Sequence, residues 1–485
     1  MSAVGSSAIS RSAVSRLQMF VVLVASMALL YASTANAAYS TVFVACYAGI
    51  YFALVHVYRG HGHIDLFSPV VAIPVLVLLY SWGSGLFVDA TGRTPFDDSI
   101  QDSTRAIFYV CGLVGVAGFM AGAISAQRVT VLPFRVAADP AVVPSSWYLV
   151  AGVIGVAWAV IFFADVFPRF NFTDVESYYD TAFQSRVDRM EDVTAGVREV
   201  FTIYPAVVLI ISFATIAVLK KDVPLPIKVI AGVILAAYFA RNTLAGSRQT
   251  IVQALLLLAM YYHYHIKAVR PVATALAGAG LYLFVNLITV ARRTADPIEM
   301  LGYVVTYLTD VGASGLGLAA SGELVTGANL HKLIEGLNSG LSDYMYGRNV
   351  INEILVFVPR VLYPDRPNSM AEEFVAQFYP GVLEAGGGYG FFILQEGYWM
   401  LGLPGILIAM YLYGFGLERL YRWFLRNSHS SLATILYAWL YSELCVSAVR
   451  GGMISSLRAS MFLAFPLLVL WWCLATLRKR IAARQ

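Results

Sequence analysis

Charge is what this chain has least of. Asp, Glu, Lys and Arg together make up 13% of 485 residues, against 59% hydrophobic, and the mean hydropathy is +0.70. A water-soluble fold of this length needs far more polar surface, so a soluble enzyme or nucleic-acid-binding domain is excluded at the outset. Cysteine is scarce as well. Cys46, Cys111, Cys445 and Cys473 all fall in apolar stretches, so they read as small packing side chains and imply no disulfide or metal framework. Among seven histidines, the run His61-Gly62-His63 lacks carboxylate or Cys partners at ligand spacing. P-loop, Rossmann and nucleophile-elbow signatures are missing. Gly386-Gly387-Gly388 with Gly390 lacks the Lys and strand-to-helix context of a phosphate cradle, and reads as a flexible approach to the next span. Internal repeats are also missing, which counts against the inverted-repeat plan of many transporters.

What is there is a series of long apolar runs, each able to cross about 30 Å of hydrocarbon. They predict about twelve membrane helices, near 18–36, 39–58, 67–87, 106–126, 146–166, 199–219, 227–245, 249–266, 271–291, 399–417, 431–449 and 458–477. Stretches such as Ile251–Met260 are apolar almost continuously, whereas membrane strands alternate, so the expected class is an all-α polytopic membrane protein. The first apolar run, followed by Ala35-Asn36-Ala37, also fits a cleavable signal peptide. Orientation follows from Lys and Arg. With the N-terminus inside, seventeen of the 33 basic residues, among them Arg16, Lys220, Lys221, Arg422 and Arg478, fall on the cytoplasmic side with only four acids: Asp65, Asp139, Asp222 and Glu418. The formal +4 is therefore a topology signal, and no nucleic-acid partner is expected.

The chain then divides into residues 1–291, with nine spans and an outer loop at 168–198; a long outer segment at 292–398; and residues 399–485, with three spans and a cytoplasmic tail. The 168–198 loop, rich in charge and aromatics, reads either as an interfacial amphipathic helix or as a solvated loop. The long segment exceeds a simple turn. Its apolar stretches Leu301–Leu308 and Ile351–Leu362 suggest short helices lying on or dipping into the membrane surface.

Ionisable residues at membrane depth are the natural site candidates. Arg241 and Arg248 flank one outer hairpin, and Arg450 and Arg458 flank another break, GGMISSL. A guanidinium fork suits phosphate or diphosphate oxygens; the alternative is snorkelling to ordinary lipid phosphates or pairing with structural acids. Glu443 precedes Arg450 by seven residues, which places the two on one helical face two turns apart. His331, the one histidine on the outer side, is a candidate general base. So are Asp310, Glu323, Asp343, Glu353, Glu372, Glu373 and Glu396.

The stretch VPRVLYPDRPNS (Val358–Ser369), followed by GFFILQEGYWMLGLPGILIAMYLYGFGLERLYRW, resembles the bacterial O-antigen polymerase (Wzy-type) and related oligosaccharide repeat-unit polymerases. Pro359, Arg360, Tyr363, Pro364, Arg366 and Pro367 match the outer-loop element. Glu396, Tyr398, Gly402 and Gly405 match the next, and Gly246-Ser247-Arg248 matches a small-residue Ser-Arg turn. Trp399-Met400-Leu401 departs from the family's more polar pattern. The resemblance implies a GT-C-like, inverting, metal-independent transferase of the bacterial cytoplasmic membrane, without cofactor. Its partners would be undecaprenyl-diphosphate-linked glycan donor and acceptor, membrane lipids and a chain-length regulator. His331, Glu396 and Glu443 are then the candidate catalytic residues. Arg241, Arg248, Arg360, Arg366, Arg450 and Arg458 are the candidate diphosphate or glycan ligands, with Arg360 and Arg366 expected as a roof beside the membrane-edge arginines. Ligase-like transfer to a different acceptor, transport of the lipid-linked sugar and a non-catalytic assembly role are the competing readings.

Overall fold

The computed structural model describes residues 39–59, 65–94, 100–129, 204–244, 248–270, 278, 280, 324–355, 358, 363, 365–384 and 388–482. The expected spans at 18–36 and 146–166, all of the expected span at 271–291 except residues 278 and 280, the 168–198 loop, the Leu301–Leu308 stretch and Arg360 lie outside these residues, as do Asp310 and Glu323.

The described residues are almost entirely helical and contain no strands. The helices are α1 (Tyr39–Arg59), α2 (Pro69–Thr91), α3 (Asp102–Ala126), α4 (Tyr204–Leu219), α5 (Leu225–Leu244) and α6 (Arg248–His265). Next come the short α7 (Ala328–Asn338), α8 (Arg348–Leu355), α9 (Met370–Phe378), α10 (Pro380–Glu384) and α11 (Ile393–Leu401). The chain closes with α12 (Leu403–Asn427), α13 (Ser431–Tyr441), α14 (Ala448–Gly451) and α15 (Met453–Ala482). Six of these stretches are long and apolar enough to cross a membrane: Tyr39–Tyr58, Pro69–Asp89, Asp102–Ala126, Leu225–Thr243, Ser431–Gly451 and Met453–Trp472. The chain is a multi-pass α-helical membrane protein.

Without a hydrophobic force between helices in lipid, close association relies on small residues. Gly118 and Gly122 of α3 supply them. A Cβ on Gly118 would sit 2.9 Å from the Leu407 carbonyl oxygen, and one on Gly122 would collide with the Tyr411 carbonyl and lie 2.9 Å from the Phe415 nitrogen. Gly414 returns the contact against the Phe119 carbonyl. The backbones of α3 and α12 therefore touch, and any side chain there would push them apart.

The two ends of the bundle differ. At one, Arg422 donates to the carbonyls of Ala126 (3.0 Å) and Gln127 (2.8 Å) at the C-terminal end of α3, a cation where the helix dipole is negative. Tyr58 reaches Glu418 (2.9 Å), Tyr264 reaches Asp65 (2.7 Å) and Tyr437 reaches the Phe67 carbonyl (2.8 Å). Chain segments that the Lys/Arg partition groups together thus meet in space. At the other end the 324–401 region covers the bundle, through Thr104 to Glu335 (2.6 Å) and Asn329 to the Gly390 carbonyl (2.7 Å).

That region does more than lie on top. Phe392 stacks on Tyr80, halfway along α2, at 5.9 Å. Leu394 fills the space beside Gly115, halfway along α3, where a Cβ would lie 3.4 Å from one Leu394 methyl and collide with the other. The cover dips to the level of the helix midpoints. Here the structure corrects the expected span at 399–417: the chain breaks at Gly402 (φ 68°, ψ −144°), and α12 starts afresh at Leu403 with Pro404 in its first turn. A positive φ suits glycine, and proline in the first turn loses no helical hydrogen bond.

Candidate functional site

A second break, between α14 and α15, organises the polar groups at the covered end. Gly452 (φ 85°, ψ 157°) separates the two helices and leaves the first amides of α15 without intrahelical carbonyls. No Ser, Thr, Asp or Asn caps them locally. Glu396, from α11, does so instead: one carboxylate oxygen accepts the N–H of Met453 and the other that of Ile454, at 3.2 Å. The anion sits on a helix N-terminus, the electrostatically favoured place. The Arg450 carbonyl accepts the N–H of Phe391 at 2.6 Å, so α11 is tied to both sides of the break.

Burial raises the Glu396 carboxyl and the two amides lower it; with the neighbouring Glu353 raising it further, it stands at about 7. Glu353, on α8, is itself 2% exposed. One of its oxygens accepts the N–H of Met370 at 2.6 Å, and the other has no hydrogen-bond partner among the described residues. Burial raises this carboxyl too, while the Met370 amide and Arg458 hold it down. Arg458 is four residues past Ile454 on α15, hence on the same helical face one turn on. Glu396, Glu353 and Arg458 form one polar cluster beside one helix break, and Arg450, with an exposed side chain, stands on the other side of that break.

Glu443 belongs to a neighbouring arrangement. The chain from Ser442 to Ser447 is a π-helix, with more than four residues per turn, a form that recurs at functional sites. This wider turn alters the register that an unbroken α-helix gives Glu443 and Arg450, and corrects the expectation of a shared face two turns apart. The Glu443 carboxylate is held from α6 instead, accepting from Gln253 (2.9 Å) and Gln249 (3.1 Å). These two glutamines have no part in the sequence reading, although two amides four residues apart in an apolar span are themselves a signal of a buried polar partner.

Arg241 stands in the last turn of α5 and Arg248 starts α6. Their hairpin is braced by Thr250 donating to Asn242 at 2.8 Å, and Gln249 and Gln253 link α6 directly to the π-turn.

His331 is placed differently from the base that its chemistry suggests. It is fully buried in α7 and stacked on Phe108, centroids 3.7 Å apart. Neither ring nitrogen has a hydrogen-bond partner among the described residues. Burial, with Arg105 nearby, lowers its pKa to about 3. A sealed ring that binds a proton only in strong acid is a poor general base, so the structure gives His331 a packing place. Arg366 donates to the Val358 carbonyl at 2.9 Å, which commits part of its guanidinium to the chain's own backbone. Glu372 closes a capping box with Ser369 at the start of α9, and Glu373 faces Arg348 at 3.9 Å. Among the described residues no group of three or more His, Cys, Asp or Glu is placed to hold a metal ion.

Comparison with protein-family models, with curated proteins and with solved structures finds no match to this chain.

Proposed function

We propose that this protein is a polysaccharide polymerase of the bacterial cytoplasmic membrane, a GT-C-like transferase with about twelve spans. It would join undecaprenyl-diphosphate-linked repeat units at the outer face. The single observation that supports this reading best is the cluster at the break between α14 and α15. Arg450 and Arg458 stand in sequence on either side of a helix break that also carries a buried carboxylate pair, Arg458 within electrostatic reach of Glu353, at the end of the bundle opposite the one where Arg422 and Glu418 sit.

The chemistry this arrangement offers is charge neutralisation. Cleavage of the bond between the sugar's anomeric carbon and the lipid diphosphate leaves negative charge on the phosphate oxygen that held the sugar, and arginines placed beside it would stabilise that charge without a metal. The acceptor hydroxyl must lose a proton, and Glu353, unlike His331, has a pKa raised towards neutrality and one oxygen unpartnered among the described residues; it has the chemistry of such a base, and its burial requires that the acceptor open a path to that oxygen. Glu396 is less suited, because both its oxygens accept amides of α15; it serves the reaction by holding the break in place.

Deletion of the gene in the native host, followed by electrophoresis of surface polysaccharide, tests the reading. A polymerase deletion leaves single repeat units. Polymer retained on the lipid carrier points to a ligase instead, and repeat units trapped inside the cell point to a transporter.

A further inference from the structure

We propose that α8 is an in-plane membrane helix, whose Ile351 and Ile354 face enters the lipid hydrocarbon beside α15 and extends the lipid-contacting surface of that span. The inference is independent of the enzymatic reading.

The helix RNVINEIL is amphipathic in the wrong sense for a surface loop. Its acid points inward: Glu353 is 2% exposed and accepts the Met370 amide. Its isoleucines point outward, Ile351 60% exposed and Ile354 57%. Three residues apart, the two share one face, with Glu353 on the opposite side. A helix over water would turn the other way, so the orientation implies that the medium outside α8 is apolar.

The position agrees. Glu353 lies within electrostatic reach of Arg458, which stands five residues past the start of the span Met453–Trp472, roughly 8 Å along the helix axis. That puts α8 beside the first two turns of a membrane-crossing helix. The neighbouring outward residues of α15, Leu457 (42% exposed) and Met461 (62%), are apolar and continue as Phe465, Leu468 and Trp472 at helical spacing. Helix α8 packs against α15, so its outward isoleucines stand beside the helix that carries this row. At the N-terminal edge of α8, Tyr346 is exposed and Arg348 carries an exposed side chain, an aromatic and a cation of the kind that settle at headgroup level.

The occupant is therefore bilayer lipid, and not a soluble partner. Full-length protein carrying Ile351→Cys or Ile354→Cys, spin-labelled and placed in nanodiscs of phosphatidylethanolamine and phosphatidylglycerol, tests this. Asp343→Cys, on an exposed polar residue, is the aqueous reference, and unsubstituted protein corrects for labelling at natural cysteines. Oxygen concentrates in hydrocarbon and a neutral nickel chelate in water. The expected result is an oxygen-to-nickel collision ratio at positions 351 and 354 several-fold above that at 343. A ratio equal to the reference places the face in water and overturns the proposal. Low collision rates with both reagents show that another segment or a second copy of the chain covers the face, and overturn it equally.

Discussion

Glu396 accepts the backbone N–H of Met453 across 57 positions of sequence and so caps a membrane helix that has no cap of its own. That carboxylate closes the break at Gly452, which separates Arg450 from Arg458. Its protonation state follows from opposed forces: two amides favour the anion, and burial with a nearby acid disfavours it.

The pH dependence of stability reads this balance. A glutamate in the unfolded chain ionises near 4.5, the folded Glu396 near 7. Between these values the folded protein holds a proton that the unfolded chain has lost. Its contribution is therefore fully present below about 4.5 and is lost as the pH rises through 7, at most on the order of 3 kcal/mol. Thermal unfolding of detergent-solubilised protein between pH 4.5 and 8 should show this decline, and Glu396→Gln should flatten it. An unchanged slope in the variant would assign the titration elsewhere.

His331→Phe separates packing from catalysis. The ring is buried against Phe108 with unpartnered nitrogens, so a phenyl ring keeps the stacking and removes two polar atoms that gain nothing from burial. Folded yield and polymer formation are expected to survive, while His331→Ala, which opens a cavity, lowers yield at a cost of about 2–5 kcal/mol. Loss of polymer with normal yield in the Phe variant would restore His331 as a base.

Helix contact through glycine makes a third prediction. Gly122→Ala places a methyl against the Tyr411 carbonyl of a facing backbone that cannot rotate aside, and should destabilise by about 1–3 kcal/mol. Gly416→Ala on α12 meets nothing within 4 Å and should be neutral or stabilising by up to about 1 kcal/mol. Fluorescence-detected size exclusion after graded heating compares them; equal melting of the two variants would contradict the close approach of α3 and α12.

The arginines carry the functional claim. Arg248→Ala and Arg450→Ala are each expected to abolish polymer at unchanged protein level, and Lys at either position to restore only part of it, since an ammonium lacks the bidentate fork. Polysaccharide electrophoresis beside an immunoblot measures both quantities. Normal polymer from both alanine variants would remove the diphosphate role.

How much of this was written in the sequence depends on range. Membrane class and most helix positions come from local composition: twenty apolar residues cannot stay in water, whatever they pack against. Glycines at 118 and 122 mark a close contact, but nothing in the sequence names α12 as the partner. Glu396 and Glu443 stand out as acids near or within spans, yet their roles belong to residues far away: the amides of Met453 and Ile454 for one, Gln249 and Gln253 for the other. Only the tertiary structure decides these, because a carboxylate in a membrane protein is satisfied by whichever donors the fold brings within about 3 Å, and the fold crosses dozens or hundreds of residues to bring them. The same holds for the inward turn of Glu353 and the outward turn of Ile351 and Ile354, which the pattern RNVINEIL permits either way until α15 and Met370 take the acid.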